Sequence, residues 1–210
     1  ISVLLGNGVG GFGAKVDFPA ASSPYFAAIR DMNADGKPDV VVVNLTLGSV
    51  SVFLGNGAGG LGPRTDFPAG SYPGAVAIAD VNADGKPDAV VANTSGNSLS
   101  LFPGNGAGGF GARIDFATGA GPNSVVIGDL NCDGKPDLVS ANNGANTVSV
   151  LFGNGVGGFV AKVDFVTGAC PNSVAIADVN VDGRPDLLSA HYTDRDALLL
   201  LGSGRRGSGT

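Results

Sequence analysis

Four runs of the form Asp-x-Asn-x-Asp-Gly-(Lys/Arg)-Pro-Asp begin at Asp31, Asp80, Asp129 and Asp178, 49 residues apart. Side-chain oxygens at alternate positions of a tight glycine turn suit a hard cation, because Ca²⁺ gathers about six to eight oxygens at about 2.3–2.6 Å. In the first run Asp31, Asn33 and Asp35 supply positions 1, 3 and 5, Gly36 permits the turn, and Asp39 closes the shell at position 9. The same roles fall to Asp80, Asn82, Asp84 and Asp88, to Asp129, Asn131, Asp133 and Asp137, and to Asp178, Asn180, Asp182 and Asp186. About one Ca²⁺ per repeat is expected. An EF-hand would need a Glu at position 12, where this chain has Val42 inside the apolar run 40–43. The loops therefore join strands.

The acidity of the chain is localised ligand charge. It contains no Glu, and twelve of its eighteen Asp lie in the four loops, so four bound Ca²⁺ would take the formal net charge from −6 to +2. No basic footprint for nucleic acid is present, and no stretch approaches the roughly 18 apolar residues of a membrane span. Ile1 stands inside an apparent strand with neither initiator Met nor signal peptide, which reads as a segment of something longer. Loops of modest charge suit extracellular calcium, so a secreted or cell-surface location is expected. Cys132 and Cys170 are expected at opposite ends of a strand, as two free, half-buried thiols.

A period of 49 residues with four short strands per unit predicts an all-β fold, a β-propeller of four-stranded antiparallel blades. In the third unit an apolar run at 124–128 enters the metal loop and 138–141 leaves it; 147–152 alternates, turns through a glycine-rich hairpin, and returns over 159–165. The chain reads as one domain, 1–210, with blades at 25–67, 74–116 and 123–165 and a fourth shared between 172–201 and 1–18. Residues 1–5 and 197–201 compete for one strand position. Four blades close a small ring or belong to a larger one, and a homo-oligomer could complete it. The tail 202–210 is expected to fray. Metal loops and glycine hairpins fall on one face, leaving the other to the more variable loops, where binding usually resides.

These residues resemble the FG-GAP or VCBS repeats of integrin α-subunit propellers and bacterial secreted proteins. The Phe-Gly half stands at Phe12-Gly13-Ala14 and Phe110-Gly111-Ala112, with departures at Leu61-Gly62-Pro63 and Phe159-Val160-Ala161. The resemblance implies Ca²⁺ ligation that includes the carbonyl of position 7, here Lys37, Lys86, Lys135 or Arg184, and an Asn at position 3 where the family often has Asp. Members of that family include adhesion receptors, lectins and propeller-shaped polysaccharide lyases, and the function expected of this chain is that of a non-enzymatic extracellular module recognising glycan or protein. The alternatives are a fragment of a polysaccharide-acting enzyme such as a lyase, and a purely structural repeat.

Other signals weigh less. Gly6-Asn7-Gly8-Val9-Gly10-Gly11 matches a dinucleotide fingerprint, but a strand follows it instead of a helix, so it reads as a hairpin turn. With one His, no Glu and no nucleophile elbow, covalent catalysis has little to stand on. His191 aligns with Asn44, Asn93 and Asn142 and is expected on a surface loop. The Lys or Arg residues two before Asp17, Asp66, Asp115 and Asp164 read as a solvated charged edge. Candidate ligand contacts are Tyr25, Tyr72, Asn123 and Asn172 on the connections between blades, with His191 and Tyr192 on the loops joining second and third strands.

Overall fold

The computed structural model describes residues 1–202. The proposed frayed tail therefore lies outside the described residues except for Gly202, whose N–H donates to Asp186 at 2.7 Å and so anchors it.

All the elements are strands. The hairpin β1 (Ser2–Val3) and β2 (Val16–Asp17) comes first. The first full blade contains β3 (Pro24–Arg30), β4 (Asp39–Asn44), β5 (Ser49–Phe53) and β6 (Thr65–Pro68). The second has β7 (Pro73–Ala79), β8 (Asp88–Asn93), β9 (Ser98–Phe102) and β10 (Ile114–Ala117), and the third β11 (Pro122–Gly128), β12 (Asp137–Asn142), β13 (Thr147–Leu151) and β14 (Val163–Val166). The last holds three strands, β15 (Pro171–Ala177), β16 (Asp186–His191) and β17 (Ala197–Leu200). Within each blade the order is sequential and antiparallel.

In the three four-stranded blades the second and third strands bury both faces, whereas β16 and β17 of the last blade expose alternate residues. Val41, Val43, Val50 and Val52 of the first blade pack on Val76, Ala89, Val91 and Phe102 of the second. One period later Val90, Ala92, Leu99 and Leu101 pack on Val125, Leu138 and Leu151. Val139, Ala141, Val148 and Val150 meet Val174 and Leu187 of the last blade. The innermost strands follow one another, β3 against β7, β7 against β11, and β11 against β15.

Both ends of this row of blades lie open. Residues 1–18 and 172–201 belong to separate sheets, so the expected shared blade is not formed within the chain. β3 is almost entirely exposed, while its counterpart β7 is largely buried. β17 keeps the third position of the last sheet, and β1 pairs with β2 alone.

Candidate metal loops and the opposite rim

Each Asp-rich loop is wound by its own side chains. The N–H of Gly36 donates to Asp31 Oδ2 at 2.8 Å, that of Asp35 to Asn33 Oδ1 at 3.1 Å, and that of Lys37 to Asp35 Oδ1 at 2.9 Å. The other three loops repeat this set within 0.1 Å. These Asx-type turns force position 4 into the left-handed region, with φ near 60° at Ala34, Ala83, Cys132 and Val181. Val181 suffers most, since a β-branched side chain is disfavoured there.

The ninth position has a role that the sequence did not reveal. Asp39 is fully buried; its Oδ2 accepts from Met32 N–H at 2.8 Å and its Oδ1 from Gly55 N–H at 2.7 Å. It ties the loop to the neighbouring glycine hairpin, and Asp88, Asp137 and Asp186 do the same. Gly55, Gly104 and Gly153 are required at this joint, because a Cβ on any of them would strike the carbonyl oxygen of Pro38, Pro87 or Pro136. Desolvation pushes the Asp88 and Asp137 carboxyls up, helped by the negative charges at positions 1 and 5, although the backbone N–H bonds pull the other way. Asp35 and Asp84 are held low, chiefly by the backbone N–H of Lys37 and Lys86.

The donor set fits a hard cation. Oxygens of Asp31, Asn33 and Asp35 are on the accessible part of the loop, and a carboxylate accepting one or two N–H bonds keeps further lone pairs, since it has about four acceptor sites. A cation is already drawn there: Lys37 Nζ lies 3.2 Å from Asp35, Lys86 Nζ 3.3 Å from Asp84, and Lys135 Nζ 3.5 Å from Asp133. Among the described residues no three His, Cys, Asp or Glu side chains converge as a ready metal group. The reason is geometric: position 3 is an amide, and the position 9 carboxylate is turned inward to the backbone.

A second polar system runs along the opposite rim. Asn93 Nδ2 donates to Ser98 and Ser100, and Ser100 Oγ donates to Asp115 at 2.6 Å. Asn44, Ser49, Ser51 and Asp66 repeat it in the first blade, and Asn142, Thr147, Ser149 and Asp164 in the third. The charged edge residues are thus anchored as well as paired with Lys or Arg; the 49-residue Ser-Asp correspondence carried that signal.

His191 takes the Asn position of this clamp in the last blade, which corrects the surface-loop expectation. Its side chain is 1% exposed. Nδ1 lies 2.7 Å from Asp196 and Nε2 accepts the Gly168 N–H at 3.2 Å, so both ring nitrogens are committed to structure. Tyr192, by contrast, is exposed.

The other rim candidates divide. Tyr25, Gly74, Asn123 and Asn172 are the bulged residues of the innermost strands, flanked by the register shifts at Pro24/Phe26, Pro73/Ala75, Pro122/Ser124 and Pro171/Ser173. They therefore lie within strands, not on connections, and a bulge re-aims its side chain. Asn123 Nδ2 donates to Asn172 Oδ1 at 2.5 Å, making an exposed amide pair across two blades. Tyr72 stands elsewhere, at φ 54° in the turn before β7, and is half exposed. Cys132 and Cys170 are free; Cys132 is exposed because it tops an Asp-rich loop, where half-burial was expected.

With this geometry in place, the comparisons define the class. The profile of the FG-GAP-like repeat matches residues 31–91, 80–140 and 129–189. The chain belongs to the FG-GAP-like repeat family. No curated protein matches it at a significant level. Among solved structures it is similar to an Agrocybe aegerita lectin described as recognising non-reducing terminal N-acetylglucosamine, at 20% identity and a TM-score of 0.66, covering 97% of this chain and 57% of the lectin. It is also similar to the Vibrio cholerae biofilm matrix protein Bap1, at 18% identity and TM-score 0.55, covering 87% and 27% of the two chains. The Pseudomonas aeruginosa periplasmic gluconolactonase PpgL follows at 20% identity and TM-score 0.50, covering 90% and 46%. At these identities the likeness concerns the fold. The chain spans a little over half the length of the first solved structures it matches. No helix among the described residues is long and apolar enough to cross a membrane.

Proposed function

We propose that this chain is a calcium-braced recognition module working outside the cytoplasm, non-enzymatic, with glycan as its ligand class. The observation that carries the reading is the fourfold loop, in which Asp, Asn and Asp side chains at positions 1, 3 and 5 are held in one repeated geometry, with a lysine ammonium drawn to the fifth in three of the four. In each loop these three side chains and the carbonyl of Lys37, Lys86, Lys135 or Arg184 would hold the Ca²⁺, with Asp39, Asp88, Asp137 or Asp186 sharing an oxygen already bonded to the backbone. A bound Ca²⁺ cancels the repulsion between the carboxylates and stiffens the loop against the neighbouring hairpin. The exposed ion pair to the Lys is worth little and is easily displaced.

Recognition then falls to the rim away from the metal. The exposed Asn123–Asn172 amides, Tyr25 and Tyr192 combine hydrogen-bonding and aromatic surface, a combination that suits sugars. The fold likeness to a lectin and to a biofilm matrix protein supports the glycan class and the extracytoplasmic setting.

A glycan array probed in calcium and in EDTA tests the reading. Binding to a defined glycan, weakened by Asn123→Ala with Asn172→Ala, is expected. Turnover of an added uronic-acid polymer by this chain alone would instead favour a polysaccharide-acting enzyme.

A further inference from the structure

On the rim away from the Asp-rich loops, the junction between the first two full blades is built differently from the junction after it. An open cleft of about 520 Å³ lies there, walled by the turn 45–48 that joins β4 to β5, by the connection 69–72, and by Arg113 at the start of β10. That volume is in the range of clefts that hold small ligands. One period on, Tyr72 is replaced by Gly121 and Arg113 by Lys162. An aromatic ring and a guanidinium therefore meet at the first of these junctions and not at the second.

Tyr72 stands where its turn does not call for a ring. Its φ is 54°, in the left-handed region that bulky side chains avoid, and the residues at the same place in the other units are Ser23, Gly121 and Cys170. The turn is nonetheless held, since the Tyr72 carbonyl accepts the Thr94 N–H at 2.9 Å, and the ring is left half exposed on the cleft wall. Backbone strain kept in this way is characteristic of sites that grip a ligand.

Arg113 is fixed at two points. Its Nη1 donates across the junction to the Pro68 carbonyl at 3.3 Å, and its Nη2 lies 3.1 Å from Asp115, which Ser100 holds in turn. A guanidinium has five N–H groups in a rigid fork, so donors remain for a ligand in the cleft. Asp115 offsets the charge of Arg113, which leaves little net attraction for an acidic ligand. Adjacent hydroxyls match this arrangement better: their oxygens accept from the fork, their O–H groups donate to the carbonyls of the wall, and the C–H face of a sugar ring lies on Tyr72.

The geometry points to a subsite for a neutral pyranose with adjacent hydroxyls, in which Tyr72 and Arg113 are the two determinants. The inference rests on the glycan reading proposed above; it adds a place separate from the Asn123–Asn172 amides and a class of sugar. The contrast with Gly121 and Lys162 confines the subsite to one junction.

Calorimetric titration of the full chain, wild type and carrying Asn123→Ala with Asn172→Ala, tests it with glucose, galactose, N-acetylglucosamine and glucuronate as probes. In the double variant the amide pair is gone, so the affinity that remains reports on the cleft. Binding of at least one neutral sugar is expected there, with glucuronate weaker. Adding Tyr72→Gly or Arg113→Lys should each weaken it about tenfold, the loss expected when a stacked ring or a bidentate fork is removed. Tyr72→Gly also relieves the positive φ, so its thermal transition should be cooperative and no lower than that of its parent, which separates lost binding from lost folding. Affinity retained in both variants, or a preference for glucuronate, overturns the inference. Wild-type binding that vanishes with the amide pair alone overturns it too and leaves the glycan reading standing, whereas a wild-type chain that binds none of the four sugars overturns both.

Discussion

The second and third blades share a motif with the last blade and differ in what surrounds it. Asp137 accepts N–H bonds from Leu130 and Gly153, and Asp186 accepts the equivalent bonds from Val179 and Gly202, at closely similar lengths. Yet desolvation raises the Asp137 carboxyl, while the Gly202 bond, followed by that from Val179, holds Asp186 below its ordinary value. The motif builds its local hydrogen bonds unaided. Both carboxylates are shut away from solvent, at 0% and 1% exposure, so what the neighbouring blade adds around Asp137 is a deeper apolar surrounding, as expected where stability is a sum of repeat and interface contributions.

The largest expected contrast tests that division directly. Asp137→Ala leaves two part-buried N–H groups without partners and should cost about 2–6 kcal/mol, at about 1–3 kcal/mol per group. Asp186→Ala breaks the same two bonds in a blade that no further blade covers, so a smaller loss is expected. Urea unfolding of both variants measures it, and equal losses would show that the covering blade is not what matters.

A second contrast sets the buried clamp against the hairpin. Ser149 Oγ donates to Asp164 and accepts from Asn142 and the Gly119 N–H, so Ser149→Ala should cost about 1–3 kcal/mol. Ser2→Ala breaks the same Ser-Asp bond in solvent, and a loss below about 0.5 kcal/mol is expected. Thermal unfolding of the pair sharpens the comparison.

Smaller still is the relief available in the last Asp-rich loop. Val181 is 87% exposed and held at φ 59°, so Val181→Asn removes strain without removing packing and should stabilise by about 1 kcal/mol. Ala83→Asn in the second blade should gain less, because alanine has no branch at Cβ to relieve.

The smallest effect concerns pH. The Asp17 carboxyl is held low by the Lys15 ammonium and then the Ser2 hydroxyl. A depressed carboxylate contributes stability above its unfolded pKa of about 3.9 and loses it as the pH falls through the folded value. Hydrogen exchange should therefore show the β1–β2 hairpin loosening below about pH 4 before the internal blades respond. An unchanged hairpin at pH 2 would contradict the assignment.

Much of this architecture was legible in the sequence. The 49-residue spacing of Asp31, Asp80, Asp129 and Asp178 marked where each blade begins, and strand alternation around them gave the strand order, while the expected joining of 1–18 with 172–201 is not formed. What stayed hidden was packing in three dimensions. Asp39 reads as a metal ligand from spacing alone, because nothing local reveals that Gly55, sixteen residues on, brings an N–H to its carboxylate. His191 reads as a loop residue because its partners, Gly168 and Asp196, lie on two different segments. The bulges at Tyr25, Asn123 and Asn172 were equally unreadable, since a register shift belongs to a pair of strands. The rim clamp was within reach of the sequence, because Ser51, Ser100 and Ser149 recur in step with Asp66, Asp115 and Asp164.

Thermal unfolding of the metal-stripped chain in EDTA, repeated with excess calcium, tests the central proposal most directly. If the four Asp-rich loops bind Ca²⁺, calcium at a hundredfold excess over Kd adds about 2.7 kcal/mol per site, and the transition should shift upward clearly. A transition at the same temperature in EDTA and in calcium would contradict the account.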